Sequence, residues 1–133
     1  MNSLNSILVE GNIVADPVVG TTPAGTPVCT FSVASNRFYK EKGESDFTKE
    51  TSFFKVETWA RLAESVSDLG KKGRGVRVVG RLKQNRWVDS NGKNNSEIII
   101  VAEHVEFKPE FKPETPIYNP NESTEENETN DTF

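Results

Sequence analysis

The segment Lys71 to Trp87 reads KKGRGVRVVGRLKQNRW, with seven Lys or Arg, no Asp or Glu, and a closing tryptophan. Upstream, Thr51 to Trp59 reads TSFFKVETW, where period two puts Phe53, Lys55, Glu57 and Trp59 on one side of a strand. Phe54, Val56 and Thr58 fall on the other side. In residues 76–83, Val76, Val78, Gly80 and Leu82 point one way, and Arg77, Val79, Arg81 and Lys83 the other. Arg86 and Trp87 follow on the hairpin beyond, and Phe38 and Tyr39 sit between Arg37 and Lys40. Cations at alternate positions with rings between them suit an extended polyanion that carries flat rings. Lys and Arg neutralise phosphates and release counterions. An aromatic face stacks on a base for about 1–3 kcal/mol, whatever the base. A duplex hides its base faces, so the pattern favours a single strand. The same residue types also pack small sheets and keep them soluble, and the pattern alone leaves both readings open. Phe47 fits a mobile contact and a cap over the sheet equally well.

Catalytic chemistry has little to work with. There is one His and one Cys, and no CxxC, HExxH, GxSxG or phosphate-loop pattern. His104, in a strand pattern beside Glu103 and Glu106, reads as a structural or surface residue. Cys29 alternates inward and reads as a small buried hydrophobe. A metal-dependent nuclease needs converging carboxylates, whereas the acids here fall mainly in loops, helix and tail. No enzyme activity, metal site or cofactor is therefore expected. A lone cysteine excludes an internal disulfide framework and fits a reducing, cytoplasmic setting. No apolar run reaches membrane-span length, and MNSLNSILVEGN lacks the basic start of a secretory signal.

The positioning elements follow from charge and periodicity. The chain has 133 residues and a formal net charge of −4. Residues 1–108 hold 15 Lys/Arg against 13 Asp/Glu, a net of +2, while residues 109–133 hold one Lys against seven acids, a net of −6. The tail PEFKPETPIYNPNESTEENETNDTF has four of the seven prolines and too little apolar surface to offset the entropy of ordering, which predicts disorder over 109–133. Within 1–108, Ser6–Val14 alternates with Gly11 at a bend, and Val28–Arg37 alternates with Cys29, Phe31 and Val33 inward. Turn residues lie at Asp16-Pro17 and Thr21 to Gly25, and a long exposed loop is expected over Tyr39–Glu50. After Thr51–Trp59 comes a helix over Ala60–Leu69, with Leu62, Val66 and Leu69 on one face and Gly70 closing it. Then come Gly75–Leu82, Gln84–Val88, a turn at Asp89 to Gly92, and a long strand Glu97–Phe107. Short strands with a lone helix predict an all-β small barrel.

The stretches NSILVEGNIVADPVV, TSFFKVETWARLAESVSDLGKKGRGVRVVGRLKQNRW and EIIIVAEHVEF resemble the bacterial single-stranded DNA-binding protein family over roughly residues 3–107. The resemblance implies an OB-fold, a five-stranded Greek-key barrel with one helix between strands 3 and 4, followed by the disordered acidic C-terminal tail. It implies a homotetramer that coats single-stranded DNA in replication, recombination and repair, cytoplasmic and nucleoid-associated, with no catalysis. The family's aromatic positions fall on Phe38, Phe53, Trp59 and Trp87, and its basic positions on Arg37, Lys55, Arg61, Lys72, Lys83 and Arg86. Phe38 and Phe53 stand where many members have Trp, and Glu57 puts an acid on the same face. Family tails end in consecutive acids and a Pro-Phe pair that docks replication and repair proteins. Here the acids are spread through ESTEENETNDTF and Thr132 replaces the proline, so Asp131, Thr132 and Phe133 form the expected partner-binding end. A primosome-type adaptor on the same fold is the competing class, and the acidic tail argues against it.

Overall fold

Alternating apolar residues separated by Gly, Pro and Asn turns fold into β1 (Ile7–Ile13), β2 (Val18–Thr21), β3 (Pro27–Tyr39), β4 (Thr48–Trp59), β5 (Gly75–Val88) and β6 (Asn94–Phe107). One helix, α1 (Ala60–Leu69), lies between β4 and β5. These elements come from a computed structural model, which describes residues 1–110. The tail expected over 109–133, with Asp131, Thr132 and Phe133, lies outside the described residues except for Pro109 and Glu110.

The strands close into a ring. β1 pairs with β5, β5 with β6, β6 with β4, β4 with β3, and β3 returns to β1. All of these ladders are antiparallel except β4–β6, which is parallel. This is the five-stranded OB barrel, and α1 falls between its third and fourth strands as expected. β2 is a sixth strand hung on the outer edge of β3. Periodicity does not reveal it, because its four residues are all exposed and no inward face marks them.

Closure depends on a glycine. β1 pairs with β5 as far as Asn12 and with β3 at Asn12 and Ile13, so the strand changes partners at its end. A Cβ on Gly11 would collide with the backbone oxygen of Ala34, which explains glycine at the expected bend. Inside the ring, Ile13, Phe31, Val33, Val56, Val76, Val78 and Ile100 form the core with Ala63 and Val66 of α1. Cys29 belongs to the same core, and burial pushes its thiol pKa up. Thr58, buried among these residues, donates its hydroxyl to the Cys29 carbonyl at 2.7 Å.

Three local expectations need correction. Tyr39 and residues 48–50 belong to strands, so the β3–β4 loop is residues 40–47 rather than the whole of 39–50. Leu69 is exposed, and α1 buries Ala63 and Val66 instead. Gly70 ends α1 with φ −109, an extended conformation rather than a left-handed cap. Glycine is needed there because a Cβ would lie 2.8 Å from both Pro17 Cγ and the Val66 oxygen. The helix's C-terminal carbonyl on Leu69 is met by Arg74 Nη1 at 3.2 Å.

Candidate nucleic-acid interface

Two antiparallel arms extend from the barrel. β3–β4 runs in unbroken register from Val28 opposite Trp59 to Tyr39 opposite Thr48. β5–β6 runs out to Val88 opposite Asn94. The arms meet only where Val56 and Glu57 pair with Ile100 and Val101. Just beyond that point Lys55 Nζ reaches Glu97 Oε2 at 3.3 Å and ties the base of the fork.

Side-chain alternation then decides which residues share a surface. Val56 and Thr58 point into the barrel, so Phe53, Lys55, Glu57 and Trp59 point out. On β3 the outward residues opposite them include Phe38, which pairs with Lys49. On β5–β6, Lys83 lies opposite Ile99 and Trp87 opposite Asn95, on the surface continuous with Glu57 and Val101. Phe38, Phe53, Lys55, Trp59, Lys83 and Trp87 therefore lie on one outer face. Their rings are open to solvent: Phe38 is 62% exposed, Phe53 65%, Trp59 39% and Trp87 45%. Between the arms, Ile99 and Val101 are buried although they point away from the barrel core, and they floor this face with aliphatic surface.

Two expected residues lie elsewhere. Arg37 is on the reverse of the β3–β4 arm, paired with Glu50 at 3.0 Å and stacked over Tyr39 at 4.5 Å. Arg86 is on the reverse of its own arm, where its guanidinium donates to Gln84 Oε1 at 2.7 Å. Each is adjacent in sequence to a ring of the outer face, and neighbours in a strand point to opposite sides. Arg61 is exposed in the first turn of α1, two residues beyond Trp59. Lys72 is exposed in the α1–β5 connection, and its backbone N–H donates to Asp16 Oδ1 at 2.9 Å.

Local structure fixes how the two tryptophans are presented. Trp59 ends β4 in an extended conformation, and Ala60 takes φ 57, in the left-handed region, so the chain swings sharply into α1. The indole Nε1 donates to Glu57 Oε1 at 2.9 Å and orients the ring. Trp87 depends on the hairpin turn that follows it. Asp89 Oδ1 accepts the backbone N–H groups of Lys93 and Asn91, each at 2.9 Å, and Oδ2 accepts Asn95 Nδ2 at 3.0 Å. The Lys93 N–H, then the Asn95 amide and the Asn91 N–H, hold the Asp89 carboxyl below the usual carboxylate range.

Sequence reasoning misses Lys49. It lies on the same face opposite Phe38, exposed and with no ion-pair partner among the described residues. A signal exists, since Lys49, Thr51, Phe53 and Lys55 keep period two, but the charged character of residues 39–50 reads as loop. Phe47, in contrast, does not cap the sheet. It is exposed in the 40–47 loop, with Lys40 Nζ 5.1 Å from its ring centre. His104 is exposed, and among the described residues no group of three or more His, Cys, Asp or Glu is placed to hold a metal. None of the described helices is long and apolar enough to cross a membrane.

The closed ring, the parallel β4–β6 contact and the single inserted helix define the class: an OB-fold protein with an exposed ring-and-cation face. Residues 4–108 match the Single-strand binding protein family, and the chain belongs to that family. It is 39% identical over 102 residues to the Single-stranded DNA-binding protein of Aquifex aeolicus, covering 77% of this chain and 68% of that one. Against the Single-stranded DNA-binding protein of Thermotoga maritima the identity is 36% over 107 residues, covering 80% and 75%. The fold also matches a solved chain described as "Plasmodium falciparum SSB complex with ssDNA", with a TM-score of 0.72 at 24% identity, over 82% of this chain and 98% of that one. Proteins of this family are non-enzymatic, and the chain is a binder rather than an enzyme.

Proposed function

We propose that this protein binds and protects single-stranded DNA with little regard to sequence. Bases stack on Phe38, Phe53, Trp59 and Trp87, while Lys49, Lys55 and Lys83 meet phosphates, with Arg61 and Lys72 extending the charged path past α1. The observation that carries this reading is the unbroken β3–β4 register, which sets Phe38, Phe53, Lys55 and Trp59 on one exposed face. Family membership and the names of its relatives support the same ligand. The direct test is a salt titration of binding to oligo-dT with tryptophan fluorescence. Affinity falls steeply as salt rises and the indole emission quenches. A flat salt response with unquenched tryptophans would contradict the assignment.

The protein acts as a homo-oligomer, a tetramer by family resemblance. Supporting this, no strand among the described residues pairs with the second edge of β1 over residues 7–11, and Leu8 is exposed beside it. The reverse of the β5–β6 arm exposes Leu82, Val88 and Ile98. Native mass measurement with and without poly-dT reads assembly and binding together. The roles that follow are in replication, recombination and repair in the cytoplasm, where the acidic tail ending in Asp131, Thr132 and Phe133 recruits DNA-processing proteins. Deleting residues 122–133 leaves DNA binding intact and removes partner capture.

A further inference from the structure

Glu57 is an acid at the centre of a face that must receive a polyanion. It lies between Thr30 on β3 and Val101 on β6, with Lys55 and Trp59 at alternate positions along its own strand. Its Oε1 is taken by the Trp59 indole N–H at 2.9 Å. Its Oε2 has no hydrogen-bond or ion-pair partner among the described residues, and the nearest cation on its strand, Lys55, reaches Glu97 at 3.3 Å rather than Glu57. A phosphate set against this carboxylate would be repelled. A single strand bound here would cross this point with its backbone turned away and a base turned towards the sheet.

Resting on the single-stranded DNA reading above, we propose that Glu57 selects which base occupies the Trp59 position. A carboxylate only accepts hydrogen bonds. A base stacked on the indole extends past the ring edge, where the Nε1 contact already holds the Glu57 carboxylate. Cytosine, adenine and guanine each bring an exocyclic amino donor to their pairing edge. Thymine brings one N–H flanked by two carbonyl oxygens, and these oppose the carboxylate. The protein is thus sequence-tolerant at its other rings and biased against thymine at this one.

The test measures affinities for dC and dT oligonucleotides of equal length by anisotropy, for the wild-type chain, Glu57→Gln and Glu57→Val. Comparing the dC/dT ratio across variants cancels the intrinsic difference in stacking between the two bases. Position 57 faces outward on a strand, so valine suits the fold. The Gln variant keeps an acceptor for Trp59 and adds a donor for thymine, which guards against a packing defect in Val. Both variants lower the dC preference by roughly three- to tenfold, the net worth of one hydrogen bond at a solvent-exposed site. If both oligonucleotides bind but the ratio is the same in all three proteins, Glu57 only orients the indole and base selection is wrong. If neither oligonucleotide binds the wild-type chain, the single-stranded DNA reading fails and this proposal fails with it.

Discussion

Two faces of the barrel use the same kinds of residue in opposite ways. On the face of β1, β5 and the end of β6, every arginine has an acid within reach. Arg77 pairs with Glu10 at 3.2 Å and with Glu106 at 3.4 Å, and Lys108 pairs with Glu10 as well. Arg81 lies opposite Val101 on the same side of β5 as Lys83, and it too has an acid close by, Glu103 at 3.9 Å. On the face of the two arms, Lys49 and Lys83 have no acidic partner among the described residues, and exposed rings stand beside them. Paired charges leave little field for a ligand, whereas unpaired ones beside open π surfaces suit the proposed binding of a polyanion. The acid-free run from Lys71 to Trp87 is therefore divided. Arg77 and Arg81 find carboxylates supplied by β1 and β6, whereas Lys83 and Trp87 stay open for the proposed ligand.

The largest expected effect tests whether the rings separate the two faces. Phe53→Ala together with Trp59→Ala lowers affinity for single-stranded DNA by about 2–6 kcal/mol, two stacked bases at about 1–3 kcal/mol each. Arg77→Ala leaves that affinity unchanged and lowers the melting temperature. Equal losses of affinity from both proteins, measured by anisotropy, would erase the distinction. A finer test uses salt. Lys83→Ala reduces the slope of log affinity against log salt by about 0.7, one phosphate contact on a single strand. Arg77→Ala does not move the slope.

Acidification acts on both faces by the same route. The Lys108 ammonium and then the Arg77 guanidinium hold the Glu10 carboxyl below its usual range. A depressed folded-state pKa means that the unfolded chain takes up the proton first. The stability contributed by Glu10 is therefore present at neutral pH and is lost as pH falls through the lowered value. Glu10→Gln has a lower melting temperature at neutral pH, and it loses less than the wild-type chain on acidification. Asp89 behaves likewise, so the protection of amides in residues 89–95, relative to their intrinsic exchange rate at each pH, is lost over the acid range before that of the core. The smallest effect is Ala60→Gly. It relieves a left-handed alanine and raises stability by about 0.5 kcal/mol, the strain removed less the added chain entropy, with DNA affinity kept.

Much of the proposed binding face is legible in residue order. The alternation in Thr51–Trp59 and the acid-free Lys71–Trp87 segment mark Phe53, Lys55, Trp59, Lys83 and Trp87, and the family resemblance adds Phe38. Two features show where local reading ends. The resemblance offers Arg37 beside Phe38 and Arg86 beside Trp87, and the strands turn each to the opposite side from its neighbouring ring. β2 and Lys49 escape notice because exposed strand residues carry no hydrophobic period.

The order of apolar and polar side chains is enough to set the barrel strands, the helix and the residue types of the binding face, because burial with period two is written into it. Which cations are neutralised and which remain available is a property of the assembled barrel alone. Their acidic partners lie on other strands, and ring closure at Gly11 and the β4–β6 contact bring distant strands within ion-pair distance or keep them apart.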